Sequence, residues 1–128
     1  MPHVEKRQTY DVGLDQMWER IGGFGTLHTW HPAIDETRMG GADKRELVLG
    51  DGGGSVFETL TDSGETHYSY HIDDSPLPVA DYDATIRVQP SDGGCEVVWT
   101  ADFRSDGASD AEAQETIEGI FQAGLDAL

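Results

Sequence analysis

Three tight-turn signals inside one alternating stretch, from about residue 34 to 104, constrain this chain more than any other feature. G-D-G-G at 50–53 and S-D-G-G at 91–94 each offer a two-residue loop, Asp51-Gly52 and Asp92-Gly93. Asp-Gly tolerates the left-handed dihedrals that match the twist of paired strands. D-S-G at 62–64 suits a three-residue loop with Gly64 left-handed. The first turn sets Leu49 opposite Gly54, Leu47 opposite Val56 and Arg45 opposite Glu58. The second sets Val56 opposite Tyr70 and Glu58 opposite Tyr68. The third pairs Val88 with Val97, Ile86 with Trp99, Ala84 with Ala101 and Tyr82 with Phe103.

Side chains alternate across a strand, so these registers sort the residues onto two faces. One face collects Arg45, Leu47, Leu49, Val56, Glu58, Leu60, Tyr68, Tyr70 and Ile72. Tyr82, Ala84, Ile86, Val88, Val97, Trp99, Ala101 and Phe103 join it. The other face carries Glu46, Thr59, His67, Ser69, His71, Asp83, Thr85, Arg87, Thr100, Asp102 and Arg104, with Val48, Phe57 and Val98 as apolar exceptions. A sheet with one apolar face needs a cover. The C-terminal segment supplies one. Ser109 and Glu112 form an S-x-x-E capping box. Ala113, Ile117, Ile120, Phe121, Gly124, Leu125 and Leu128 then fall along one helical face.

Residues 3–10 read as a strand, and Leu14, Met17, Trp18 and Ile21 follow the i, i+3, i+4, i+7 stripe of a short helix ended by Gly22-Gly23. The order is therefore strand, short helices, six strands and a long helix. That is an α+β chain whose length suits one domain with one core.

This order and its residues resemble the START-like (SRPBCC) superfamily, and more closely its bacterial polyketide cyclase/dehydratase-like members. The likeness spans nearly the whole chain. It is carried by M-W-E-R-I-G-G-F-G-T-L-H-T-W-H-P-A-I at 17–34, G-D-G-G-G-S-V-F-E-T-L at 50–60, P-L-P-V-A-D-Y at 76–82 and V-V-W-T-A-D-F at 97–103. The resemblance implies a helix-grip fold. In it, a seven-stranded curved antiparallel sheet with two short helices wraps a long C-terminal helix over a deep ligand cavity.

Charge narrows the partners. The chain has 25 acidic and 8 basic residues, a net charge of −17, of the kind a solubilising or salt-adapted surface carries. Phosphate contacts need a basic patch, so nucleic acid is excluded as a partner, and anionic membrane surfaces are disfavoured for the same reason. No apolar run approaches a membrane span and the N-terminus lacks a signal-peptide pattern. Cys95 is alone, so no internal disulfide forms. A cytoplasmic location follows as the default. A homodimer stays open as the chain's own association.

F-G-T-L-H-T-W-H-P-A-I at 24–34 raises the question of metal. His28 and His31 could chelate from one face, but a site needs three or four ligands, and the next acids lie beyond Pro32. His67 and His71 sit four residues apart on one strand, ~13 Å, too far to share an ion. No metal and no cofactor is expected. The stretch reads as an elbow, with Trp30 packed between helices and sheet or at a cavity mouth, and His31 satisfied within the fold or touching ligand. Cys95 reads as a quiet thiol.

Glu58 is the group that most invites chemistry. It falls on the apolar face opposite Arg45, where a bare carboxylate is costly and an internal ion pair is the ordinary solution. Opened to a ligand, the same pair becomes a tentative catalytic couple, with Glu58 moving a proton and Arg45 holding an oxyanion. Trp30, His31, Tyr68, Tyr70, Tyr82, Trp99 and Phe121 are the expected ligand contacts. The leading function is binding of a hydrophobic, planar or lipid-like small molecule. The alternative is a polyketide cyclase/dehydratase-type enzyme using general acid–base chemistry at Glu58 with Arg45, tyrosines and His31 as oxyanion partners. A weaker one is a protein-assembly or stress accessory module.

Overall fold

The computed structural model describes residues 2–128. The chain runs β1 (His3–Tyr10), α1 (Leu14–Ile21), β2 (Ile34–Met39), β3 (Lys44–Leu49), β4 (Ser55–Ser63), β5 (His67–Asp74), β6 (Val79–Ser91), β7 (Gly94–Ser105) and α2 (Asp110–Asp126). All strands pair antiparallel in one seven-stranded sheet of order β1-β7-β6-β5-β4-β3-β2. Curved beneath α2, it is a helix-grip fold. Of the two expected short helices only α1 is an α-helix. The second is a three-residue 3-10 turn, Leu27–Thr29, because the chain must bend at Trp30 to enter β2.

Two of the three turns act as their composition dictates. Asp51 and Gly52 take φ of 57° and 70°, and β3 meets β4 with Leu47 on Val56 and Arg45 on Glu58. Positive φ at both central residues matches the turn to the strand twist, so the register is set locally. The Asp92-Gly93 turn, with positive φ at Gly93 only, sets Val88 on Val97, Ile86 on Trp99 and Ala84 on Ala101.

The third expectation fails. Strand β4 continues through Asp62 and Ser63, the reversal moves to residues 64–66, and Gly64 is not left-handed. Glu58 therefore faces Ile72 and Leu60 faces Tyr70, in place of Glu58 with Tyr68 and Val56 with Tyr70. A bulge between Leu60 and Asp62 absorbs one residue of the slip. Around Glu58 the displacement is four positions, an even number, so every side chain keeps its face. A further bulge, between Ala80 and Asp83, removes Tyr82 from its Cα pairing with Phe103, although their rings stay 5.6 Å apart.

The inner face is buried or half-buried throughout, and no polar residue expected on the outer face is buried. Helix α2 begins at the Ser109 capping box, with Glu112 N–H donating to Ser109 Oγ and Ser109 N–H to Glu112 Oε1. It packs against β1 and β7. Phe121 stacks on Trp99 at 4.2 Å between ring centres and 10° between planes. Gly124 permits this approach: a Cβ there would lie 2.8 Å from His31 Cδ2 and 3.0 Å from Trp99 Cζ3. Because α2 packs mainly on β1 and β7, it leaves a space between itself and the inner faces of β3, β4 and β5. No helix is long and apolar enough to cross a membrane among the described residues.

Candidate functional site

The space under α2 is a cavity of about 240 Å³. Its walls come from Leu47 and Leu49 on β3, Val56 on β4 and Ile72 on β5, with Ile117, Ile120 and Phe121 closing it from the helix. Polar side chains enter at Glu58, Tyr70, Tyr82, Trp99 and His31. The bulge beside Tyr82 contains Asp81 at φ 51°, a strained position for a non-glycine residue, held by Arg104 Nε donating to Asp81 Oδ2. Bulges re-aim side chains, and this one leaves the Tyr82 ring on the cavity wall, between Tyr70 and Phe103.

Arg45 and Glu58 form a dry ion pair, their side chains 1% and 5% exposed. The pairing is lopsided. Both Arg45 Nε (2.8 Å) and Nη2 (2.7 Å) reach the same oxygen, Glu58 Oε1. Arg45 Nη1 donates to the Phe24 carbonyl at 2.8 Å and to Tyr68 Oη at 3.4 Å. The guanidinium also lies 4.1 Å from the Phe24 ring centre and 5.1 Å from that of Tyr70, contacts that favour a desolvated cation. Burial pushes the Glu58 carboxyl above its ordinary range, against the opposing pull of Arg45. Burial works against the Arg45 charge too, but its partners keep it protonated. Glu58 Oε2 accepts no hydrogen bond from the described residues, and Glu58 is part of the cavity wall while Arg45 is not.

The tyrosines are donors rather than bases. Burial raises Tyr70 and Tyr82 well above the ordinary phenol value, so both stay protonated. Trp99 Nε1 donates to Tyr70 Oη at 3.1 Å, which orients that hydroxyl and leaves its own proton to give.

His31 is fully engaged by the fold. Its Nδ1 accepts from Ala33 N–H at 3.1 Å, which obliges Nε2 to carry the proton it donates to the Ile120 carbonyl at 2.8 Å. Burial lowers its pKa, so the ring is a neutral staple between the elbow and α2. Among the described residues no group of three or more His, Cys, Asp or Glu side chains is placed to hold a metal ion.

Of the residues expected at the site, Glu58, His31, Tyr70, Tyr82, Trp99 and Phe121 line the cavity. Arg45, Tyr68 and Trp30 do not. Arg45 and Tyr68 sit behind Glu58 in the Phe24–Trp18 aromatic layer, where Tyr68 meets Phe24 edge-on at 5.7 Å. Trp30 backs His31 and Trp99 at 5.8 and 5.7 Å, its buried Nε1 without a partner among the described residues. Sequence reasoning missed Leu27, Ala33, Ile34 and Leu77 in the wall. They lie in or beside connecting segments, where no periodicity marks a facing side; the prolines around Leu77 in P-L-P were the available hint.

The fold agrees with that of known proteins. The model of the family described as polyketide cyclase / dehydrase and lipid transport matches residues 1–128. The chain belongs to that family. Among solved structures, XoxI from Bacillus cereus is 32% identical with a TM-score of 0.93, over 99% of this chain and 92% of that one. A START superfamily protein from Mycobacterium smegmatis, 10% identical, superposes with a TM-score of 0.83 over 98% of this chain and 92% of that one. The Zhui aromatase/cyclase from Streptomyces sp. R1128, 18% identical, gives 0.72 over 98% and 87%. The last two share the fold. No curated protein sequence matches the chain. Membership of the polyketide cyclase/dehydrase and lipid transport family, on a START-like fold, points to binding of hydrophobic ligands.

Proposed function

We propose that this protein binds one small, mainly apolar molecule beneath α2, its polar group directed at the Glu58–Tyr70–Tyr82 cluster. The observation that carries this is the pairing of an apolar cavity of about 240 Å³ with a few convergent polar groups, the common form of a small-molecule site. That volume lies below the roughly 300–1,000 Å³ of sites for drug-sized ligands, which favours one or two fused rings or a short chain over an extended polycycle. Burying ~300 Å² of apolar ligand surface supplies roughly 7 kcal/mol of gross transfer energy, reduced by the costs of association.

The polar end supports a second reading. A carboxyl raised by burial, with one oxygen unclaimed and phenol donors nearby, is the equipment of a general acid–base with oxyanion partners. The substrate would be a carbonyl compound small enough for the same cavity, its enolate held by Tyr70 and Tyr82.

Titration with 2-naphthol, read by quenching of tryptophan fluorescence, tests the binding proposal, because Trp99 is in the wall. Saturable micromolar quenching is expected, and its loss in Ile120→Trp, which blocks the helix side of the cavity, with melting temperature unchanged. Quenching that survives this variant overturns the placement. Native mass spectrometry of protein purified from its own host should retain a small molecule. With that molecule in hand, turnover separates the readings: conversion by the wild type that Glu58→Gln abolishes marks an enzyme, whereas retention without conversion marks a binder.

A further inference from the structure

Resting on the cavity reading, we infer that the ligand is electrically neutral and carries a hydroxyl or N–H that donates to Glu58 Oε2. It is neither a carboxylate nor an ammonium ion.

The cation that faces Glu58 is fully engaged within the fold. Both near nitrogens of Arg45 converge on Glu58 Oε1, and its third points away to the Phe24 carbonyl. Among the described residues no lysine or arginine lines the cavity, and His31 is held neutral with both ring nitrogens engaged. Among them the carboxylate is therefore the only charge at the wall, already neutralised from behind. The pair sums to zero, so a ligand ion of either sign would leave a net, uncompensated charge in an apolar cavity, which disfavours it. An incoming carboxylate would also meet Glu58 Oε2 with no cation on its own side. A neutral O–H or N–H meets the opposite situation. Glu58 Oε2 is an acceptor without a donor, and Tyr70 and Tyr82 can donate to the ligand's own oxygen. One ligand hydroxyl can thus donate to the carboxylate and accept from a phenol. A ketone or ether can take only the second bond and leaves the carboxylate oxygen unmet.

Four two-ring probes of nearly equal size isolate these terms: 2-naphthol, 2-methoxynaphthalene, 2-naphthoate and 1-naphthylmethylammonium. Binding is measured at pH 8 in 1 M salt, where the Debye length is ~3 Å and the acidic surface drops out. A hydrogen bond to a charged group is worth roughly 10- to 100-fold in affinity. The expected order is 2-naphthol tightest, with the methoxy compound and both ions at least 10-fold weaker. Glu58→Gln should narrow the naphthol–naphthoate gap by at least 10-fold. Should that variant not fold, the wild type decides through absorption of bound 2-naphthol, whose ionisation must shift to higher pH beside a carboxylate.

Naphthoate or the ammonium probe binding as tightly as naphthol overturns the inference, as does methoxynaphthalene doing so. An unshifted ionisation of bound naphthol does the same. Absence of binding by all four overturns the cavity reading itself, a distinct result.

Discussion

Removing Arg45 should cost more at pH 8 than at pH 5, and the size of that difference follows from the buried pair. Breaking such a pair by deleting one partner typically costs ~3–5 kcal/mol, because the survivor keeps its charge without compensation. The two survivors here are unequal. After Glu58→Leu, Arg45 still has the Phe24 carbonyl, Tyr68 Oη and three aromatic rings within 5.5 Å. After Arg45→Met, Glu58 has no cation, but a carboxyl already pushed up by burial can take a proton. Arg45 was holding that carboxyl down, so its removal raises the folded-state pKa further. The sign follows: a carboxyl raised on folding contributes fully below its unfolded value and loses that contribution as pH rises through the folded value. Each unit of widening is ~1.4 kcal/mol. Urea melts of the wild type, Arg45→Met, Glu58→Leu and the double variant at pH 5 and pH 8 measure this. We expect Arg45→Met to lose ~3–5 kcal/mol at pH 8 and at least ~1 kcal/mol less at pH 5. The double variant should lie within ~1–2 kcal/mol of wild type, since apolar replacement of a buried pair is often near neutral. A pH-independent Arg45→Met cost, or a double variant equal to the sum of the singles, refutes the reasoning.

Gly124→Ala should destabilise the protein by ~1–3 kcal/mol despite the ~1 kcal/mol helix-propensity gain of alanine. The new Cβ would press on His31 and Trp99, themselves held by hydrogen bonds and by Phe121 stacking; a higher melting temperature would show that the elbow yields. His31, lowered by burial, contributes stability above its unfolded value near pH 6.5 and loses it as pH falls below that. Stability curves of wild type and His31→Gln should therefore diverge least in mild acid, and the His31 imidazole should show no NMR titration step near pH 6.5. Ser109→Ala removes the acceptor for Glu112 N–H and should cost ~1 kcal/mol in chemical denaturation.

The site was legible where local chemistry set it. Opposition of Arg45 to Glu58 follows from the Asp51-Gly52 turn alone. The β4–β5 register was not legible, since D-S-G-E-T carries no dipeptide that forces one loop length, and a bulge beyond Leu60 decides the phase. The inner tyrosines still landed correctly because the slip near Glu58 was even. His31 and Trp30 looked alike in the elbow, yet one lines the cavity and the other backs it.

By itself the sequence determined the β3–β4 and β6–β7 hairpins, the inward faces and the cap of the last helix, because turn dihedrals, period-two alternation and a capping box act within a few residues. Tertiary structure alone decided which Glu58 oxygen Arg45 takes and that Arg45 stands behind the wall. It also decided that His31 spends its proton on Ile120, 89 residues away. Those outcomes depend on directions and distances between elements far apart in the chain, where a shift of a few ångströms turns a hydrogen bond into an open position, and no local pattern encodes that distance.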